Sequence, residues 1–526
     1  MTHKTCTPGT CVAILDRIYH WAQDPSPNIP QVFLLTGNAG SGKSTIANTV
    51  SHHFDTLDDE VPNILQATYC CSRQFDDTRR QKYIIPTLVY QLAHHSKSYA
   101  RALLGALNDE KSVEILIYQM QHLLVGPWQK SASDRPHDFP PYLMVIDALD
   151  EVDGDGSLAF LYALLTSVQK GHLQGLKFFV TSREDDKVSS LCNHFSSDVV
   201  SGCRLHEVSK EVVGADILRY LDTELPLLDK VDRAELGRRA DGLFIYAATA
   251  VRYLTPQVGL SREEQLNLMR GLLSGSWDSW DISEGPEDPL RVDVLYRHIL
   301  FEAFGKRKNG LRLAHLRILY TLLCTEECVS TSVAAGLLSN SPDMVGHANR
   351  IVSDLHAVLY ISDGKVFWYH ASFPDFIFTQ ARSRFTMSTH SGTSFHIDMS
   401  CDLASHHALL TRSCFHIMMS GLCFNICNLL SSFLLDSEVP NLQVEDKICD
   451  SLGYACRYWA EHMEQATPSE QKVLETYIVN FLHTHFLFWI ETMNLLQVSS
   501  QCASMLLKVR DCIGKVRKFI SIIYIN

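Results

Sequence analysis

The chain has 526 residues, enough for three or four packed units at about 100–200 residues per domain. Hydrophobic residues make up 46% and charged residues 20%, which excludes collagenous, low-complexity and wholly disordered chains. With 46 Lys and Arg against 59 Asp and Glu the net charge is −13, so the chain as a whole is not a nucleic-acid-binding surface and any such role would need a local basic patch.

The N-terminal residues carry no basic stretch followed by an apolar run, so no secretory signal is visible. Sixteen cysteines spread along the chain are too sparse for a disulfide scaffold, and a cytoplasmic, reducing compartment fits both facts. Val12, Leu15, Ile18, Tyr19 and Ala22 stand at helical spacing within residues 8–23, followed by the breaker-rich stretch 24–30. Short β-rich runs then alternate with helical patterns: 32–36, 64–70, 142–147, 177–182 and 203–208. That alternation predicts an α/β fold, a parallel sheet with helices on both faces. Helical periodicity dominates from 209 to 360, broken by a polar Gly/Pro-rich stretch at 274–289. Residues 358–369 predict a hairpin around Asp363 and Gly364, and helices flanking it suggest a winged helix. A second polar break at 388–394 precedes an all-helical tail, in which 413–435 is expected to be buried helix because polar residues interrupt it too often to span a bilayer. The expected domains are 1–30 (helix and linker), 31–207 (P-loop nucleotide-binding domain), 208–285 (small helical domain), 286–386 (winged helix) and 387–526 (helical).

The most specific motif is GNAGSGKST, formed by Gly37, Asn38, Ala39, Gly40, Ser41, Gly42, Lys43, Ser44 and Thr45. It matches the phosphate-loop pattern G-x-x-x-x-G-K-[ST] and sits between a β-rich run and a helical one, as that loop must. Glycines let backbone N–H groups turn inward around a polyphosphate. Lys43 can reach the β and γ phosphates, and the Ser44 hydroxyl can ligate Mg²⁺.

Such a loop needs a carboxylate on a neighbouring strand to hold the metal. Asp147 ends the apolar run 142–147, and Asp150 and Glu151 follow within about one turn. One of that pair, Glu151 being preferred, can orient or deprotonate the attacking water. Arg183 follows the next strand at the same carboxyl edge, where a guanidinium suits a γ-phosphate, with a salt bridge to Glu184 or Asp185 as the competing account. Arg73, after the second strand, is read as structural.

The phosphate loop, VIDALDE at 145–151, FFVTSRED at 178–185 and ADGLFIYAATAVRYL at 240–254 together resemble the NACHT-type signal-transduction ATPases (STAND) of fungal NOD-like receptors, a group also described as nephrocystin-3-like. The resemblance extends through 84–93, 369–377, 452–463 and 486–496. It implies a switch, closed with ADP and self-associating with ATP, that hydrolyses weakly with Mg²⁺ and serves signalling or nonself recognition through protein partners. Carried over by position, Lys43 and Ser44 take the phosphate and Mg²⁺ contacts, Asp147 the metal, Glu151 the hydrolytic role and Arg183 the sensor role. His370 falls in YHASFPDF, similar to a winged-helix motif whose histidine touches the ADP β-phosphate. In the helical domain, Phe244 stands where many relatives have proline. On this resemblance the chain is expected to start almost at the NACHT region and to end in the helical tail, so the family's usual effector and repeat domains are not expected within these residues.

The pairs Cys324/Cys328 and Cys423/Cys427 lack partner ligands and are read as core thiols rather than zinc ligands. Lys508, Arg510, Lys515, Arg517 and Lys518 are read as a solvated helix face. No membrane partner is expected. Two other functions stay open: a metabolic P-loop kinase or ATPase, and a scaffold that binds nucleotide without hydrolysing it.

Overall fold

In a computed structural model that describes residues 4–55, 63–107, 115–135, 141–255, 261–274, 291–305, 309–339, 341–388, 394–431, 434 and 439–512, the β-rich runs form β1 (Val32–Gly37), β2 (Leu65–Cys70), β3 (Tyr142–Asp147), β4 (Leu176–Arg183) and β5 (Val200–Arg204). They make one parallel sheet in the order β2-β3-β4-β1-β5. Period-two alternation splits each inner strand between two cores. Val32 and Leu34 of β1, with Met144 and Ile146 of β3, pack among the helices Ile84–His95 and Gly156–Gln169. Phe33 and Leu35, with Leu143 and Val145, pack on the other side against Val12–Gln23 and Lys43–Phe54. Both faces are therefore covered, which is why these strands read as continuous apolar runs.

The fifth strand was expected at 203–208 and lies at Val200–Arg204; Leu205–Glu207 instead make a short 3-10 turn. It pairs with β1 at the edge of the sheet, and its residues are only partly buried or exposed, so its hydrophobic pattern is weak. Three helices follow, Lys210–Glu224, Lys230–Ala240 and Phe244–Leu254. Together with the sheet they belong to one compact unit, residues 1–268.

The second unit, 269–526, contains the helices Asn309–Cys324, Thr331–Leu338 and Pro342–Asp354 followed by the expected hairpin, β6 (Leu359–Ser362) and β7 (Lys365–Trp368). Asp363 and Gly364 both adopt positive φ, 48° and 74°, as a two-residue hairpin turn requires. A second antiparallel pair, β8 (Arg384–Ser388) and β9 (Ser394–Asp398), was not anticipated. The expected break at 274–289 lies, from 275 on, outside the described residues, as do the middle of the break at 388–394 and Lys515, Arg517 and Lys518. The buried helix expected at 413–435 is corrected: helix Leu403–Gly421 ends at Gly421, and Asn425 and Asn428 beyond it take left-handed backbone that a helix does not tolerate. Helices Asp450–Gln465, Pro468–Thr484, Phe486–Leu495 and Gln501–Cys512 follow. No helix among the described residues is long and apolar enough to cross a membrane.

Candidate functional site at the carboxyl edge of the sheet

All six residues of β1 are buried, and the strand runs directly into the glycine loop. Gly40 (φ 79°) and Gly42 (φ 95°) take left-handed backbone, and Gly42 caps the helix Lys43–Phe54. The first intrahelical bond from Ile46 N to Gly42 O, 3.0 Å, leaves the amides of residues 42–45 as the donor end of the helix. Lys43 is buried and folds back on the loop, its Nζ donating to Gly37 O at 2.8 Å and Asn38 O at 2.9 Å. Burial draws its ammonium down to about 8, opposed by the carboxylates of Asp150, Asp147 and Glu151. Ser41 Oγ is buried without a hydrogen-bond partner among the described residues.

The register of β3 against β4, which ends with Ile146 beside Val180, carries Asp147 to the level of Thr181. Asp147 is buried, and Thr181 Oγ1 donates to its Oδ1 at 2.5 Å while accepting from Ala148 N at 2.8 Å. Thr181 was missed in the sequence; only the strand pairing reveals its partner. Ala148 is left-handed (φ 55°), turning the chain so that Asp150 faces the end of β4. There Asp150 accepts from Arg183 N at 2.9 Å and pairs with Arg183 Nε at 3.0 Å. Arg183 thus pairs with Asp150. Glu151 Oε2 accepts from the Arg73 amide at 3.1 Å, and burial pushes its carboxyl up to about 7. Arg73, read as structural, contributes its backbone to this edge.

A contact unforeseen in the sequence closes the other side of the loop. Ile245 N donates to Gly40 O at 3.0 Å, and a Cβ on Gly40 would stand 2.1 Å from Ile245 Cγ2. Phe244 lies beside Gly42, where an added Cβ would be 3.9 Å from its ring. The N-terminus of helix Phe244–Leu254 therefore rests on the glycine loop.

The donor set fits a nucleotide polyphosphate: an amide-rich helix start, an ammonium aimed into the loop, a buried hydroxyl awaiting a partner, and carboxylates at the adjoining strand end for a hard cation. His370 belongs to the second unit. Its Nδ1 accepts from Ser372 N at 3.1 Å and meets Ser372 Oγ at 2.7 Å, which in turn meets Tyr296 OH at 2.8 Å. Cys324 and Cys328 are buried, and Cys423 is exposed while Cys427 is buried; none of the four is in a disulfide. Lys508 pairs with Glu461 and Glu464, at 3.3 and 3.2 Å.

Among solved structures, the chain is similar to a signal transduction ATPase with numerous domains (STAND) carrying a tetratricopeptide repeat sensor, from Pyrococcus horikoshii. Identity is 12% and the TM-score 0.39, over 99% of this chain and 66% of that one, so this chain spans just under two thirds of that protein's length. It is also similar to a Walker-type ATPase of Pyrococcus abyssi (11%, TM-score 0.33, 71% of this chain and 98% of that one) and to the ORC2 protein of Aeropyrum pernix (10%, TM-score 0.34, 69% and 91%). No curated protein matches. Residues 9–183, the segment that holds the loop and the carboxyl edge just described, match the nephrocystin 3 N-terminal family.

Proposed function

We propose that this chain is a nucleotide-dependent switch of the STAND type: a P-loop ATPase that binds ATP or ADP with Mg²⁺ at residues 37–45 and hydrolyses slowly. The observation that carries the reading is Lys43, buried in a glycine loop and facing Asp147, Asp150, Glu151 and Arg183 at one strand edge. In this reading the loop amides and Lys43 bind the phosphates, and the Ser44 hydroxyl and Asp147 hold the cation, with Thr181 fixing the carboxylate's orientation. Bound Mg²⁺ supplies neutralisation of phosphate charge. Glu151 accepts the proton of the attacking water, a role suited to a carboxyl near 7. Asp150 holds Arg183 at the edge, toward the γ-phosphate.

The Ile245–Gly40 bond favours a switch over a metabolic kinase, because it ties the loop to the helices of 210–254, so a nucleotide that reshapes the loop works against that contact. His370 is the proposed ADP sensor of a winged-helix segment 286–386, and self-association with ATP, protein partners and a cytoplasmic signalling or nonself-recognition role complete the proposal. Single-turnover hydrolysis of Mg-ATP tests it: slow turnover by the wild type, lost in Glu151→Gln, supports the switch. Rapid multiple turnover with an acceptor supports a kinase, and no turnover in either form supports a scaffold.

A further inference from the structure

The second unit buries a polar cluster that the proposed function does not use. His407 lies on helix Leu403–Gly421, His462 on Asp450–Gln465, and Glu326 just beyond Asn309–Cys324; they are 3%, 0% and 7% exposed. Groups of this kind enter a core only with partners to replace water. His407 Nδ1 and His462 Nδ1 face each other at 2.8 Å, and Glu326 Oε1 stands 3.9 Å from His462 Nδ1. One ligand atom from each of the three lies within 4.8 Å of the others.

The surroundings orient these groups. His462 Nε2 meets Tyr454 OH at 2.8 Å, Tyr454 OH accepts from Glu326 N at 3.0 Å, and Gln465 Nε2 donates to Glu326 Oε1 at 2.5 Å. A metal-binding imidazole is held this way, by a bond from the ring nitrogen that does not bind the metal, and so is a binding carboxylate. Two facing imidazoles can also share one proton with the Glu326 carboxylate beside them, and zinc stoichiometry separates the two arrangements.

We propose that His407 Nδ1, His462 Nδ1 and a carboxylate oxygen of Glu326 form a zinc site, with a fourth position for water. Two nitrogens and one oxygen suit zinc, whose bonds to nitrogen are about 2.0–2.1 Å. Tetrahedral nitrogens at that radius stand about 3.3 Å apart, so the imidazoles separate by roughly half an ångström on binding. The ion ties two helices to the segment after a third, and so acts on the cohesion of the second unit rather than on the glycine loop.

The test uses the full chain, purified without chelator or histidine tag, analysed for metal, stripped with EDTA and titrated with zinc. The expected result is about one equivalent of zinc, and a Tm rise of about 5–10 °C at a hundredfold excess over Kd. Glu326→Gln and His407→Gln should each weaken zinc binding at least about tenfold, while Lys43→Ala binds it as the wild type does. Cobalt(II) on the wild-type chain provides a readout independent of variant folding: visible d–d bands that one equivalent of zinc abolishes. Zinc well below one equivalent with an unmoved Tm, or cobalt without such bands, overturns the site and leaves a proton-sharing histidine pair.

Discussion

Thr181 Oγ1 donates to Asp147 Oδ1 at 2.5 Å, between two residues that are 0% and 3% exposed at neighbouring strand ends. The bond fixes one carboxylate oxygen of Asp147, the orientation that its proposed cation-holding role needs. Thr181→Ala should cost about 1–3 kcal/mol, since it strands a buried carboxylate without its donor. It should also weaken Mg²⁺-dependent nucleotide binding more than Mg²⁺-free binding. Chemical denaturation and calorimetry with and without Mg²⁺ measure the two effects, and Thr181→Ser should restore most of both.

Glu151 gives a pH signature. Its carboxyl is raised from 4.5 to about 7, so the folded state holds a proton that the unfolded state has lost between those values. Its stabilising contribution is therefore complete below about 4.5 and lost as pH rises through 7. Glu151→Gln should raise Tm relative to the wild type at pH 8, and the gap should vanish toward pH 4.5. Wild-type hydrolysis should rise with pH through an apparent pKa near 7, a profile absent from the variant.

Gly40 tests the contact between loop and helix. Alanine there must adopt φ near 79° and meets Ile245 Cγ2, so Gly40→Ala should destabilise by about 1–3 kcal/mol. Ile245→Ala should relieve the steric part and leave the backbone part, which a double-mutant cycle by denaturation separates. An additive cycle would remove the contact from the account.

The proposed role of His370 has its own measurement. His370→Ala should weaken ADP binding while leaving the affinity for ATP close to wild type, because the contact is proposed for the closed state. Equal ADP affinity and unchanged small-angle scattering would end the sensor assignment.

These residues differ in how far the sequence reveals them. Gly37, Gly42, Lys43 and Ser44 are legible because phosphate-loop chemistry is local, with every needed group within one turn of its neighbours. Asp147 is legible because it ends an apolar run. Thr181 is not, since its partner follows from the register of β3 on β4, a pairing across 34 residues. The Ile245–Gly40 bond is further out of reach, as it depends on how three helices settle on the sheet. β5 slipped from its expected place because Val200–Arg204 hold an edge where the hydrophobic pattern is weak, while the apolar Leu205 falls in a turn. The histidine pair of the second unit joins residues 55 positions apart, with no spacing that marks it.

Lys43 and its loop are proposed to hold a nucleotide, and titration of Mg-ATP and Mg-ADP into nucleotide-stripped wild type and Lys43→Ala measures whether they do. Each charge-assisted bond to phosphate contributes about 1.5–3 kcal/mol, so the variant should bind at least about tenfold more weakly, with wild-type stoichiometry of one. Saturable binding of equal strength in both proteins, or no binding to the wild type, would contradict the account.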